Sequence, residues 1–358
     1  MNIRELFVKM VSTKASDLYL RTKAIPRFRI NGKIELLGNS PITKEEMTGV
    51  THLLLANDER RKKFEAQKSL DFMHFEPDIG RFRINIFLQR NTPSIVARHI
   101  FTAIDTFEEL HLPDMVCSKF ADSMQGLCLV CGPAGNGKST TVASILEHVN
   151  RNQPKHIITL EEPIEFLFED KKSIINQREI GSDVMSYPDA LRNVTQQSPD
   201  IIYIGNIRDY STMKAAVTAT ELGACVYTTF HTVNAVQTIM RIVNFFPPHQ
   251  HDEVRMQLSL ILKGSISLRL LPRKDGQGRV PAYETMVVTP TVARLIHENK
   301  IKEIQTFIDE GSLFGMCSFQ QSLIQLVKDG LVDVDVARAY ADSSDDFDLE
   351  IKGIKRLR

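Results

Sequence analysis

A glycine-rich run between an apolar segment and a helical one constrains this chain more than any other stretch. Gly132 to Ser139 reads Gly-Pro-Ala-Gly-Asn-Gly-Lys-Ser and fits the spacing G-x-x-x-x-G-K-[ST]. The preceding residues Leu127–Cys131 are uninterruptedly apolar, as a buried strand would be, and helical spacing begins at Lys138. In that setting the glycines Gly132, Gly135 and Gly137 let the loop, with Pro133, Ala134 and Asn136, curl around phosphate oxygens and offer them its backbone N–H groups, of which Pro133 has none. Lys138 supplies a point charge for the β- and γ-phosphates and Ser139 offers a hydroxyl to Mg²⁺. With Thr140 these residues open a helix whose positive end favours an anion. The expected ligands are ATP and Mg²⁺.

Strands and helices alternate on both sides of this loop. The spacing predicts strands at Leu127–Cys131, His156–Leu160, Ile201–Ile204 and Cys225–Thr229, with helices from Lys138, over Tyr187–Gln197 and over Thr212–Leu222. Such alternation predicts an α/β fold, a parallel sheet covered by helices. This domain is expected over residues 114–288, followed by a C-terminal helical region over 289–340 and a polar, disordered tail over 341–358. Residues 1–101 read as a smaller mixed domain. It opens with helical spacing over Met1–Thr13 and has strands at Asp17–Leu20, Arg27–Ile30 and Lys33–Leu37. Asn31-Gly32 is a hairpin signal between the last two of these. Thr43 with Glu46 forms a capping box that opens a helix to Ala56. Thr102–Pro113 reads as the linker between the domains.

In a parallel sheet the ligand lies beyond the carboxyl ends of the strands. The strand His156–Leu160 ends on Glu161 and Glu162, Ile201–Ile204 ends on Gly205 and Asn206, and Cys225–Thr229 ends near His231. Asp200 lies at the opposite end of its strand, roughly 13 Å away at ~3.3 Å per residue, and cannot stand in for an acid at position 206.

Composition limits the partners. The 44 basic and 44 acidic side chains cancel, which argues against a dedicated nucleic-acid binder. No apolar run reaches the ~18 residues of a membrane span. The N-terminal residues carry charges where a signal peptide would be apolar, so a cytoplasmic protein is expected. The five cysteines do not read as a disulfide framework. Cys128 and Cys131 form a CxxC, but in a strand their side chains point to opposite faces and cannot readily share a metal.

The phosphate loop, TLEEPIEF (Thr159–Phe166), NQREIG (Asn176–Gly181), SPDIIYIGNIRD (Ser198–Asp209) and TTFHTVNA (Thr228–Ala235) together resemble the secretion-superfamily ATPases. Within that superfamily the similarity is to the type IV pilus retraction ATPases, the PilT/PilU family. ASDLYL (Ala15–Leu20) and GRFRINIF (Gly80–Phe87) resemble the family's PAS-like N-terminal domain, and TPTVARLI (Thr289–Ile296) falls where the family has a characteristic helix. KKSIINQREIG and NFFPPHQ lean toward PilU. The resemblance implies a homo-hexameric ring of RecA-like domains that binds ATP and drives pilus disassembly. It works against an inner-membrane platform protein, peripheral to the inner face of that membrane. By position Glu161 matches the family's Asp-box acid, which with Ser139 would hold Mg²⁺. Glu162 offers a second acid, His231 matches a His-box histidine and Arg208 matches the arginine that follows the Walker B acid. Arg81, Arg83 and Arg98 match an arginine-rich segment of which part reaches the nucleotide.

The chain departs from the family at three places. Asn206 replaces the Walker B glutamate, Gln196 replaces an arginine, and Ala224 replaces an earlier histidine. An asparagine keeps a hydrogen-bonding carbonyl but loses the charge and the proton-accepting power of a carboxylate. Two readings follow. One is a ring motor that hydrolyses ATP and retracts pili. The other is an accessory ring that binds nucleotide with little or no hydrolysis and supports a separate, homologous retraction ATPase ring. A third reading, an assembly ATPase of the same superfamily, sits poorly with the short N-terminal region and with cysteines too few for the four-cysteine metal site of such proteins.

Overall fold

The computed structural model describes residues 2–30, 32–100 and 103–354, and the chain divides into two compact units at Ala103/Ile104. Asn31 of the expected hairpin turn, Phe101 and Thr102 at the expected domain boundary, and residues 355–358 lie outside the described residues.

In the N-terminal unit α1 (Ile3–Ser12) leads into β1 (Asp17–Arg21), β2 (Arg27–Ile30) and β3 (Lys33–Leu36). Two helices follow, α2 (Lys44–Leu54) and α3 (Asp58–Gln67), then the meander β4 (Ser69–Glu76), β5 (Gly80–Gln89) and β6 (Thr92–Ile100). The six strands form one sheet in the order β3-β2-β1-β6-β5-β4, with every recorded pairing antiparallel. One face of it buries Leu18, Leu20, Phe82, Ile84 and Ile86 against Phe7 of α1 and Met47 of α2. The capping box at Thr43 and Glu46 forms as the sequence predicts. Helix α3 has no counterpart in the sequence reading, because it buries no residue and so shows no apolar stripe. Asn57 caps the amides of Glu59 and Arg60, Glu59 pairs with Lys63 one turn on, and Arg60 reaches β4, donating to the Met73 carbonyl at 3.3 Å and lying over the Phe72 ring at 4.4 Å.

The second unit opens with α4 (Asp114–Ala121), then β7 (Gly126–Cys131), α5 (Lys138–Asn152), β8 (His156–Glu161) and β9 (Ile174–Glu179). Next come α6 (Tyr187–Val194), β10 (Ile201–Ile204), α7 (Tyr210–Glu221), β11 (Cys225–Phe230), α8 (Ala235–Asn244) and α9 (His251–Ile261). The hairpin β12 (Leu262–Pro272) and β13 (Arg279–Val287) follows. The helices α10 (Pro290–His297), α11 (Ile304–Glu310), α12 (Phe319–Lys328), α13 (Val334–Tyr340) and α14 (Ser344–Ile351) end the unit. Seven strands run in the order β13-β12-β7-β11-β10-β8-β9, parallel throughout except for the β12–β13 pair.

Every residue of β7, β10 and β11 is buried, as a parallel sheet covered on both faces requires. One face packs Leu129, Cys131, Ile202 and Phe230 with α6 to α10, and the other packs Cys128, Val130, Tyr203 and Tyr227 with α4 and α5. Cys128 and Cys131 thus enter different cores, as strand alternation requires.

Two sequence expectations need correction. β12, next to the phosphate-loop strand, was not foreseen because α9 ends at Ile261 and the strand begins at Leu262, with no turn residues to mark the change. The stretch expected as a disordered tail contains α14, which Ser343 caps at the amide of Asp346. It is seated by the fully buried Phe347 beside Phe319, Leu323 and Ala337. Phe347, with Ile351 one turn on and the Asp348–Arg338 pair at 2.7 Å, fixes a short helix that average polarity does not reveal.

Candidate nucleotide site

The loop after β7 has the backbone that a phosphate cradle needs. Gly132, Gly135 and Gly137 have φ of 143°, 75° and 86°. At Gly132 a side chain is also excluded sterically, since a Cβ there would stand 2.7 Å from the Leu268 carbonyl oxygen of β12. The neighbouring hairpin steadies the loop. The Leu270 amide donates to Asn136 Oδ1 at 2.8 Å, and Arg279 donates to the Gly135 carbonyl at 3.2 Å. Gly137 caps α5 with no side-chain acceptor, leaving the first amides of a 15-residue helix for a ligand.

Lys138, 8% exposed, donates from Nζ to the carbonyls of Gly132 at 2.8 Å and Pro133 at 3.0 Å. Its ammonium also lies 3.4 Å from His231 Nδ1. Burial pulls the Lys138 pKa down from the ordinary lysine value. Ser139 and Thr140 follow in the first turn of α5, both half-buried.

The strand order places β11 beside β7 and β10 beside β11. His231 follows the end of β11 and Asn206 follows the end of β10. The Asn206 amide group meets His231 Nε2 at 3.3 Å. Burial first, then the cations Lys138, Arg208 and Arg241, hold the His231 pKa below the ordinary imidazole value, so the ring is neutral at pH 7.

Glu161 ends β8, the next strand out, and is 5% exposed. Its carboxyl accepts from Thr159 Oγ1 at 2.7 Å, from Gln177 Nε2 at 3.3 Å and from the Glu165 amide at 3.4 Å. Burial outweighs these contacts and pushes its pKa up to about 7. Glu162 is exposed and pairs with Arg208 at 3.6 Å, an outer ion pair of little energetic weight.

The sheet thus brings Lys138, His231, Asn206, Glu161, Glu162 and Arg208 to one edge. Asp200 stands at the other edge, where its carboxylate takes the His156 amide at 2.9 Å and pairs with Lys155 at 3.6 Å. The other two departures lie on that far side as well. Gln196 is exposed in a 3-10 turn before β10, and Ala224 is buried just before β11, roughly 23 Å of extended chain from His231 at ~3.3 Å per residue. Of the three departures only Asn206 stands at the strand ends.

Arg81, Arg83 and Arg98 belong to the N-terminal unit. Arg83 chelates Asp71 with Nε 2.9 Å from both carboxylate oxygens, Arg98 Nε donates to Asp17 at 2.9 Å, and Arg81 lies over the Phe75 ring at 5.8 Å.

Sequence reasoning did not single out the hairpin residues that brace the loop or Glu284, a carboxylate buried on β13. A charged residue in an apolar strand was the available signal for the latter.

The chain matches the family model described as type II/IV secretion system protein over residues 2–331. It is 37% identical to the type IV pilus ATPase PilU of Pseudomonas aeruginosa over 98% of this chain and 92% of that protein. It is 38% identical to the pilus retraction ATPase PilT of the same organism, over 97% of this chain and 100% of that one. A solved structure of the pilus retraction motor PilT with bound ADP superimposes with a TM-score of 0.86 at 38% identity, covering 97% and 98% of the two chains. These identities do not separate the PilT branch from the PilU branch.

Proposed function

Because this chain belongs to the type II/IV secretion system protein family, we propose that it is an ATP-binding and ATP-hydrolysing ring motor of the type IV pilus retraction machinery, acting in twitching motility. One observation carries the reading. Lys138, His231 and Asn206 meet at the ends of three adjacent parallel strands, above a loop whose three glycines hold positive φ.

The loop amides and the open end of α5 cradle the phosphates. Lys138 exchanges the carbonyls of Gly132 and Pro133 for β- and γ-phosphate oxygens. Mg²⁺, when bound with the nucleotide, neutralises phosphate charge there, and Ser139 is the residue placed to hold it. An ion held mainly by phosphates and water needs no carboxylate cluster, and none gathers among the described residues. The contacts of Glu161 suit a proton acceptor better than a metal ligand, since its oxygens already receive three donors and its pKa is pushed up to about 7, close to the working pH. Neutral His231 reports on the phosphates through Lys138. Arg208 and Glu162 form the outer rim.

Asn206 supports a second reading. Its amide can orient a water but cannot take its proton, so turnover is slow, and the chain then serves as a nucleotide-holding ring beside a separate retraction ATPase. A homo-hexamer, a cytoplasmic position at the inner face of the inner membrane, docking on a platform protein and a nucleotide-facing role for Arg81, Arg83 or Arg98 belong to the same proposal. No helix among the described residues is long and apolar enough to cross a membrane.

The test is genetic and biochemical together. Removing the gene from its host should raise surface piliation and reduce twitching. Wild type should restore both and Lys138→Ala should not. An unchanged pilus phenotype together with no ATP binding by the purified protein would refute the proposal.

A further inference from the structure

The four residues His231 to Asn234 link β11 to α8, and their conformation sets where the histidine ring stands. Both ends of the link are tied. The Asn234 side chain caps the Gln237 amide at 2.9 Å. The Thr238 hydroxyl donates to the Asn234 carbonyl at 2.7 Å and lies 2.6 Å from the Thr232 hydroxyl. Thr238 also reaches Cys131, the residue before Gly132, with Oγ1 3.3 Å from Sγ.

A second tie from outside the link and its helix is a carboxylate. Glu284 on β13 is 3% exposed, and its Oε1 accepts the Ala235 amide at 2.8 Å. Ala235 is the first residue of α8, four positions after His231. A carboxylate at a helix N-terminus is favourable, but burying one is costly unless its hydrogen bonds repay it. Burial pushes the Glu284 pKa up to about 7, which records that cost. Ionised or protonated, the group keeps an oxygen that accepts the Ala235 amide.

We infer that Glu284 is a positioning residue of the nucleotide site: by holding the Ala235 amide it fixes the His231–Asn234 link and so keeps the His231 ring between Lys138 and Asn206. This rests on the proposed reading that the site takes ATP. Glu284 touches neither phosphate nor the reacting atoms. It acts through the backbone of α8, as the outer partners of a site residue orient that residue.

The experiment compares full-length wild type with Glu284→Ala, Glu284→Gln, His231→Ala and the double variant Glu284→Ala/His231→Ala. Affinities for ADP and for the slowly hydrolysed analogue ATPγS are measured, together with amide hydrogen exchange of the 231–240 segment without nucleotide. Glu284→Ala should weaken ATPγS about tenfold, the low end for loss of an outer partner, and leave ADP within about twofold. Glu284→Gln, which still accepts the Ala235 amide, should match wild type. The double variant should be no worse than His231→Ala, because both changes remove one contact. Exchange in the 231–240 segment should quicken in the two variants that carry Glu284→Ala and not in Glu284→Gln. If Glu284→Ala does not fold, Ala235→Pro removes the same amide at a first helical position, which proline tolerates, and should show the same ATPγS loss.

Equal losses for both nucleotides, additive losses in the double variant, or unchanged exchange in Glu284→Ala would each overturn the inference. If wild type binds neither nucleotide, the proposed function fails. The exchange arm then still decides whether Glu284 holds the link: faster exchange in the alanine variant supports that and unchanged exchange overturns it.

Discussion

Asn206 and His231 face one another at 3.3 Å across the ends of two neighbouring parallel strands, and Lys138 on the other side of the ring decides where the imidazole proton lies. A lysine ammonium only donates, so His231 Nδ1 must accept. A neutral imidazole has one acceptor nitrogen, so Nε2 carries the hydrogen. The Asn206 atom nearest Nε2 is Nδ2, at 3.3 Å, so the amide has to turn end for end for its carbonyl oxygen to accept from Nε2–H. The amide's orientation follows from this pairing, since its nitrogen and oxygen differ only in their partners.

This arrangement predicts how the ring titrates. In Asn206→Asp or Asn206→Glu the introduced carboxylate accepts the same proton and favours the imidazolium. The His231 pKa, now below the ordinary value, should rise by about one unit or more. Histidine-ring NMR titration of the nucleotide-free protein would measure it. No rise would mean the two side chains do not meet in solution.

Glu161 should dominate the pH dependence of turnover. Its carboxyl must be ionised to accept a proton, and burial places its pKa at about 7. The ATP turnover rate should therefore climb as pH rises through about 7. Glu161→Gln should lose on the order of 10²–10⁴ in rate, the usual contribution of a positioned base. Glu162→Gln should cost much less, because Glu162 is exposed and committed to Arg208.

Stability should carry the same signature with the opposite slope. Glu161 and Glu284 both have folded pKa values of about 7, raised by burial above the ordinary 4.5. The folded state thus binds these protons more tightly than the unfolded state. Their contribution is fully present below pH 4.5 and is lost as pH rises through about 7. Urea midpoints measured from pH 5 to pH 8 should show this loss as a downward component. It should shrink in Glu161→Gln, which cannot ionise.

Phe347 anchors the C-terminal helix. Phe347→Ala removes a fully buried ring from between Phe319, Leu323 and Ala337 and should cost about 3–5 kcal/mol locally. The change should appear first as loss of amide-exchange protection over residues 344–351, with the loop–α5 region still protected. Unchanged protection there would contradict the packing.

Most of the nucleotide edge was legible in the sequence because a parallel sheet converts strand ends into an address. Once Leu127–Cys131, His156–Leu160, Ile201–Ile204 and Cys225–Thr229 are read as strands, Lys138, Glu161, Asn206 and His231 must fall on one side and Asp200 on the other. The structure places them so. Long-range packing was not legible. Glu284 reaches the site edge from 49 positions along the chain, and β12 begins where a helix ends, so neither leaves a local pattern. Helix α3 is held by its caps, its charge pairs and the contacts of Arg60 and Phe64 with the sheet, and so shows no apolar stripe; α14 packs through the single pair Phe347 and Ile351, too short a repeat to stand out in an acidic segment. The three departures from the family pattern looked equivalent in sequence. The strand direction separates them, leaving Asn206 at the strand ends and Gln196 and Ala224 at the far edge.

The account's central claim is that this edge holds ATP and that Asn206 limits its hydrolysis. The most direct measurement is steady-state ATP turnover by the purified protein and its Asn206→Glu variant, with ATP affinity determined for both. The account predicts that both bind ATP with similar affinity, that wild type turns over slowly, and that the variant is faster by on the order of 10²-fold or more. Rapid turnover by wild type, unchanged in Asn206→Glu, would contradict it.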